Sequence, residues 1–139
     1  MKRFVLILED DGGRIERFCA VVQKNWPKLQ VVWWASAREM VDGVEKYLAE
    51  AAVVSLDHDL YAAGGADVGD GLEVARFLAG QEVRCPVVIH SSNAERSARM
   101  RGALEVEGWE VRMVAPFGTR WVEEYWSEIV RGIIASGSE

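Results

Sequence analysis

The chain has 139 residues, half of them hydrophobic, so it is long enough to bury the core of one domain and too short for two ordinary ones. Its formal net charge of −6 excludes an extended nucleic-acid surface, which requires a basic footprint, but still allows one terminal phosphate to bind in a local pocket. The two cysteines, Cys19 and Cys85, fit no metal or redox spacing and are predicted to be buried free thiols. We expect a single domain over residues 1–136 and a short tail over 137–139.

The hydrophobic runs are short. The longest uninterrupted one, "FVLIL" at Phe4–Leu8, is far shorter than a membrane span. The basic pair before it is followed by acidic residues and not by a small-residue cleavage site, so this start is interpreted as a strand and not as a signal peptide. The predicted location is the cytoplasm, with no membrane partner.

Five apolar runs rich in Val and Ile alternate with segments of helical spacing. Uninterrupted runs of this kind are typical of parallel strands that are covered on both faces. The predicted strands are Phe4–Leu8, Leu29–Trp34, Val53–Leu56, Val87–Ile89 and Val111–Val114.

Helical spacing predicts five helices. The first runs over Gly13–Asn25 and the third over Gly71–Gly80. The second and the fourth each begin at a capping-box spacing, at Ser36–Glu39 and at Ser92–Glu95, and the fifth begins near Thr119. The last helix carries a stripe that is predicted to be core packing, comprising Trp121, Val122, Tyr125, Trp126, Ile129 and Ile133.

Five strand–helix units predict a three-layer α/β domain with right-handed crossovers. The expected architecture is a flavodoxin-like (βα)5 domain whose five-stranded parallel sheet has the order 2-1-3-4-5. In that order strands 1, 3 and 4 are neighbours, and ligands bind beyond their carboxyl ends. Both histidines of the chain, His58 and His90, follow strands at that edge.

Carboxylates are also expected to crowd this edge, namely Glu9 and Asp10 after strand 1 and Asp57 and Asp59 after strand 3. Such groups repel one another unless they are protonated or bridged by a cation. Mg²⁺, or another divalent cation, would relieve the repulsion and is the predicted cofactor. The alternative is that acidic residues end strands because they are solvated and favour turns, which is the preferred interpretation for Asp11.

The histidines predict acid–base chemistry at the same edge. One neutral and one protonated imidazole would supply a base and an acid for a single transfer, so catalytic roles are predicted for His58 and His90 together with Asp57. A structural role is the alternative for each. If the strand stays extended, Asp57 and Asp59 share one side and His58 points to the other, and the sequence leaves open which side faces a ligand.

The stretch "HSSN" predicts an anion site. Ser92 or Asn93 is expected to cap the fourth helix, whose first amide groups are free and whose dipole is positive there. Ser91, Ser92 and Asn93 are therefore the predicted phosphate-binding residues. The glycine-rich connection Tyr61–Asp70 is long for its place in the fold, and it is either a lid over the site or a surface loop.

Along nearly its whole length the chain resembles a response-regulator receiver domain. "LILEDDGGRIERF" is similar to the receiver start with its acidic metal-binding pair, here Glu9 and Asp10, and "VVSLDHDL" is similar to the strand that carries the phosphoacceptor, here Asp57. A receiver has a lysine before the proline after strand 5, whereas this chain has Ala115 before Pro116.

"SLDHDL" together with "HSSN" resembles a divergent branch, the cyclic-phosphate-processing receiver-like domains. That resemblance implies a metal-assisted phosphoesterase acting on a phosphate-bearing small molecule, such as a 2′,3′-cyclic nucleotide, or on an RNA terminus. One alternative is a stand-alone receiver phosphorylated on Asp57, which would act through a protein partner or a homodimer. A third hypothesis is a metal nuclease built on Glu9, Asp57 and Asp59.

Overall fold

The computed structural model of the chain describes residues 1–60 and 69–137. Its centre is a five-stranded parallel sheet in the order β2-β1-β3-β4-β5, which confirms the predicted topology. The strands are β1 (Phe4–Leu8), β2 (Gln30–Trp34), β3 (Ala51–Leu56), β4 (Val87–His90) and β5 (Val111–Val114).

The helices follow the strands in alternation. They are α1 (Gly12–Asn25), α2 (Ala37–Gly43), α3 (Glu45–Leu48), α4 (Gly71–Ala79), α5 (Ala94–Glu105), a π-helical turn (Val122–Trp126) and α6 (Ser127–Gly137). The predicted second helix is thus divided into α2 and α3. Ser36 caps α2 as predicted, and of the two candidates at α5 it is Asn93 whose side chain accepts a hydrogen bond from a first-turn amide.

The helices form two layers, one on each face of the sheet. We call the first the α1/α6 face, where Val5 and Ile7 of β1 pack, and the second the α4/α5 face, where Leu6 and Leu8 pack. This alternation follows from the period of two in a strand. The edge strands β2 and β5 are partly exposed, whereas the sequence predicts strands that are covered on both faces. The reason is that a strand at the border of a sheet has a neighbouring strand on one side only.

The π-helical turn changes the phase of the last helix. The backbone N–H of Ser127 bonds to the carbonyl of Val122, five residues earlier, whereas an α-helix has a spacing of four. The wider turn buries Trp121 and Trp126 together but leaves Tyr125 half exposed, so the predicted packing role of Tyr125 is wrong. The two buried indoles reach the candidate site described below.

The cysteines carry no disulfide. Cys85 is buried, and burial raises the pKa of its thiol to about 12, while Cys19 is half-buried. In the two described ranges, no helix has both the length and the apolar character needed to cross a bilayer.

Candidate functional site

Three of the predicted site residues meet at the carboxyl edge of the sheet. Glu9 follows β1, Asp57 follows β3 and His90 ends β4, and one donor atom from each lies within 4.8 Å of the others. All three side chains are buried, with exposed fractions of 0 to 5 %. They come together because β1, β3 and β4 are adjacent parallel strands that end at the same border.

His90 is held by hydrogen bonds at both ring nitrogens. Its Nδ1 lies 2.7 Å from Ser55 Oγ, and its Nε2 lies 3.0 Å from Glu9 Oε1. Trp126 Nε1 donates to the same Ser55 Oγ at 3.0 Å, which leaves the hydroxyl hydrogen free to donate to Nδ1 of a neutral imidazole. Nε2 then carries the ring proton and donates it to Glu9. The polar chain Trp126–Ser55–His90–Glu9 satisfies every one of these buried groups.

The imidazole of His90 is enclosed by aromatic rings. Its centroid is 5.1 Å from that of Phe18 and 5.8 Å from that of Trp121, which stacks on it at an interplanar angle of 28°. Its exposed fraction is 0 %, so no ligand in solvent reaches the ring. The geometry makes His90 a positioning residue, because it fixes the orientation of the Glu9 carboxylate that borders the site.

Arg14, in the first turns of α1, brings a positive charge to the two carboxylates. Its NH1 atom lies 3.6 Å from Glu9 Oε1 and 3.8 Å from Asp57 Oδ2. The guanidinium stands over the ring of Trp121, 5.4 Å from the centroid, and the side chain is 32 % exposed. The sequence interpretation missed this residue, although α1 starts directly after the acidic stretch and its first turns must lie at the same edge.

The two carboxylates have pKa values that differ in opposite directions from their ordinary values. Burial raises the pKa of Asp57 to about 6, and the charge of Glu9 adds to that effect against the opposing influence of Arg14 and of the hydrogen bond from the backbone N–H of His58. Burial also acts to raise the pKa of Glu9, but the hydrogen bond from His90, the charge of Arg14 and the hydrogen bond from the backbone N–H of Asp11 together outweigh it and leave that pKa lowered. Glu9 therefore stays ionised at neutral pH, and Asp57 exchanges a proton near pH 6.

His58 does not join this cluster. Its Nδ1 lies 2.7 Å from Asp59 Oδ1, and its Nε2 lies 3.6 Å from Asp70 Oδ2, the residue that caps α4. The ring therefore lies on the α4/α5 face, whereas the ring of His90 packs on the α1/α6 face. The expectation that both imidazoles share one pocket is wrong, for the reason that alternating strand residues point to opposite faces.

The remaining predicted residues lie around the edge in different settings. Asp59 is engaged by His58 and is not part of the close donor cluster, while Asp10 is half-buried beside Glu9. Ser91 Oγ accepts the backbone N–H of Asn93 at 3.2 Å, and Ser92 is exposed. The predicted lid Tyr61–Asp70 falls mainly on residues 61–68, which lie outside the described residues.

A cavity of about 850 Å³ lies at the opposite, amino-terminal edge of the sheet. Its lining is mainly apolar and includes Trp26, Leu29, Cys85 and Ile133. None of the clustered acidic or histidine side chains lines it. Its size is that of a ligand pocket, but the groups capable of acid–base or metal chemistry lie elsewhere.

The donor set at the carboxyl edge fits a hard divalent cation. Glu9 and Asp57 are two buried carboxylates whose oxygens face one another, and oxygen ligands of this kind suit Mg²⁺ or Mn²⁺. Nε2 of His90 is already committed to Glu9. Glu9 and Asp57 are therefore the residues that would hold the ion.

A parallel sheet of this order with paired carboxylates at its carboxyl edge defines a receiver-type domain. Residues 5–106 match the family described as the cyclic-phosphate processing receiver domain, and the chain belongs to that family. The comparison with curated proteins gave no significant match.

Solved receiver domains share the fold over nearly their whole length. The response regulator domain of Thermotoga maritima CheB is 16 % identical with a TM-score of 0.70, covering 97 % of this chain and 98 % of that one. The signal receiver domain of a Luxo repressor protein from Vibrio parahaemolyticus is 14 % identical with a TM-score of 0.65, covering 98 % and 95 %. The Mn²⁺-bound response regulator Rcp1 is 14 % identical with a TM-score of 0.67, covering 94 % and 91 %. At such identities the likeness shows the fold alone.

Replacing Asp57 with asparagine is expected to stabilise the cation-free protein above neutral pH. A carboxyl whose pKa is raised on folding favours the folded state at low pH, and this contribution is lost as the pH rises through about 6. The gain in unfolding free energy should reach on the order of 2–3 kcal/mol at about pH 7.5 and vanish below about pH 4. Urea unfolding across this pH range measures it, and a difference that does not change with pH would contradict the assignment.

Replacing Ser55 with alanine is expected to lower the free energy of unfolding by about 2–4 kcal/mol, because Trp126 Nε1 and His90 Nδ1 both lose a buried partner. The control is Ser97→Ala, since the buried Ser97 hydroxyl has no hydrogen-bond partner among the described residues and its removal should cost little. Nitrogen NMR of the imidazole should also show a changed tautomer population at His90 in Ser55→Ala. Equal losses in the two variants, with an unchanged His90 spectrum, would contradict the polar chain.

Proposed function

We propose that the chain is a phosphoesterase that opens a cyclic phosphate at the edge formed by Glu9, Asp57 and Arg14. The observation that carries the proposal is the juxtaposition of two buried carboxylates of unlike pKa with one guanidinium, at the ligand-binding border of the sheet. The description of the family as cyclic-phosphate processing supports the class of substrate.

Asp57 has the properties of a general base for the attacking water. Its Oδ1 accepts the backbone N–H of His58 at 2.8 Å and keeps a second lone pair that could hold the cation, so Oδ2, on the side of Arg14, is the oxygen available to the attacking water. In the cation-free protein the pKa of Asp57 is about 6, so this carboxylate is mostly ionised at neutral pH and can take a proton. As water adds to phosphorus, its proton passes to Asp57, the bond from phosphorus to one ring oxygen breaks, and that oxygen takes a proton from solvent.

Arg14, and a divalent cation that Glu9 would help to hold, supply the positive charges that a phosphate requires. Arg14 presents a positively charged fork that matches phosphate oxygens, and His90 holds Glu9 in one orientation beside it. A divalent cation held by Glu9 and Asp57 would neutralise charge that develops on the phosphoryl oxygens. The start of α5, with Ser91, Ser92 and Asn93, follows His90 directly and is the second group that we assign to the phosphate.

One part of the hypothesis drawn from the sequence changes, namely the role of His58. His58 is no longer paired with His90 as acid and base, because its ring contacts Asp59 and Asp70 on the other face of the sheet. The substrate is a 2′,3′-cyclic nucleotide or a cyclic-ended RNA terminus, bound through its phosphate and not through an extended basic surface.

The signalling alternative has less support. A stand-alone receiver would carry an acyl phosphate on Asp57, but Ala115 stands where a receiver has the lysine that holds that group. Among the described residues, Arg14 is the basic side chain that forms an ion pair with Asp57. A protein partner or a homodimer remains a prediction of this alternative.

The test compares Asp57→Asn with Asp59→Asn in hydrolysis of 2′,3′-cyclic nucleotides, followed by phosphorus NMR with Mg²⁺ or Mn²⁺ present. Both variants remove one carboxylate from neighbouring positions, but only Asp57 lies in the close cluster. We expect Asp57→Asn to lower kcat by about 100-fold or more and Asp59→Asn to lower it by only a few-fold, since base catalysis contributes about 10²–10⁴-fold.

Three results would contradict the proposal. One is hydrolysis by Asp57→Asn at the wild-type rate. Another is cleavage of internal phosphodiesters that depends on Asp59, which would favour the metal-nuclease hypothesis. The last is a stable acyl phosphate on Asp57 after incubation with a small phosphodonor, without turnover of cyclic phosphates, which would favour signalling.

A further inference from the structure

We infer that Arg14 is a resident cation that moves between the carboxylates and the ligand, so that a phosphate and a divalent cation bind to this protein with positive coupling. In the unliganded chain the guanidinium neutralises Glu9 and Asp57. When a phosphate binds, the guanidinium transfers to the phosphate and releases the carboxylate oxygens for the divalent cation. The inference rests on the proposed function, because it assigns a regulatory step to the same site.

The first support is the looseness of the contacts that Arg14 makes. Its NH1 atom lies at 3.6 and 3.8 Å from the two carboxylates, which is within ion-pair range but beyond a hydrogen bond. The guanidinium has five N–H donors, and within the described ranges none of them donates a hydrogen bond to protein. These donors are therefore available to an incoming anion.

The second support is a contrast within the same helix. Arg17, three residues later, makes two hydrogen bonds to the Glu123 carboxylate, at 2.8 and 3.1 Å, and a further one to the carbonyl of Thr119. Arg17 and Arg14 have similar exposed fractions, 31 and 32 %. Arg17 is fixed by three hydrogen bonds, whereas Arg14 makes none through its side chain among the described residues, so its guanidinium can change partners without breaking a hydrogen bond.

The third support is the surface on which Arg14 rests. The guanidinium stands over the indole of Trp121, which is itself buried and stacked on His90. An aromatic face attracts the cation without fixing its direction, because the attraction comes from the whole ring. Trp121 thus keeps the guanidinium near the site while leaving its donors free to change partners.

The coupling follows from charge balance. If Arg14 left without replacement, two buried carboxylates within 4.8 Å of one another would have no neighbouring positive charge, which is unfavourable. A divalent cation and Arg14 compete for the same oxygens, so the cation binds weakly while Arg14 is in place. A phosphate that attracts the guanidinium removes the competitor, and by reciprocity the cation must favour phosphate binding by the same factor.

The experiment measures Mn²⁺ affinity by electron paramagnetic resonance of the free ion, with and without inorganic phosphate, at about pH 7.5. We expect Arg14→Ala to bind Mn²⁺ more tightly than the wild type in the absence of phosphate, by about 5- to 150-fold, the usual range of coupling between sites. Phosphate should tighten Mn²⁺ binding in the wild type and do so much less in Arg14→Ala. Arg14→Gln keeps most of the side-chain volume over Trp121 and is the variant to use if Arg14→Ala does not fold. It should show the same two changes, namely tighter Mn²⁺ binding without phosphate and a smaller effect of phosphate.

The control is Arg101→Ala. It removes the same charge from α5, where Arg101 pairs with Glu105 on the surface, and it should leave Mn²⁺ affinity and the phosphate effect unchanged. If both Arg14 variants bind Mn²⁺ no more tightly than Arg101→Ala, the exchange is refuted, while the phosphoesterase proposal stands. If neither the wild type nor any variant binds Mn²⁺, the exchange and the cation site of the proposed function both fail.

Discussion

The buried contact between Glu9 and His90 is the constraint on which the candidate site depends. A carboxylate with no exposed surface is unfavourable unless it is paired and hydrogen-bonded, and Glu9 meets both conditions. Its Oε1 accepts from His90 at 3.0 Å, and its Oε2 accepts the backbone N–H of Asp11 at 3.2 Å. A fixed negative charge therefore stands beside Asp57, and the raised pKa of Asp57 is in part its consequence.

The aromatic residues around His90 explain why that contact is rigid. The π-helical turn brings Trp126 to Ser55 and Trp121 to the face of the imidazole, while Phe18 of α1 packs against all three rings. The bidentate pair of Arg17 and Glu123 ties the turn to α1. A local irregularity in the last helix thus supports the candidate site at the ends of β1, β3 and β4, and π-turns are frequent at functional sites in proteins.

Much of the fold follows from local patterns in the sequence. Apolar runs separated by helical periods predict the strand order and place Glu9, Asp57 and His90 at one border, because that placement depends only on where strands end. The prediction that His58 and His90 share one pocket is wrong, and the sequence itself contains the reason. Residue parity puts His58 and Asp57 on opposite faces, and the structure keeps the chain extended enough for parity to hold.

Other features depend on tertiary contacts that no spacing indicates. In the sequence Ser55 is one polar residue in a buried strand, and nothing indicates its partners. The structure shows that it links Trp126, which is distant in sequence, to His90. The exposure of Tyr125 results from one widened turn, which a regular helical period cannot anticipate. Nothing in the sequence around Arg14 distinguishes it from other helix residues. Its role follows from Glu9 and Asp57, which the fold brings to it at the ends of β1 and β3.

The most direct test of the central claim is the position of a divalent cation, determined by anomalous diffraction from a crystal soaked with Mn²⁺ and phosphate. We expect one strong peak within ligand distance of both Glu9 and Asp57, with phosphate density next to it. A peak beside Asp59 and Asp70, or one in the cavity at the amino-terminal edge, would contradict the assignment of Glu9 and Asp57 as the cation ligands.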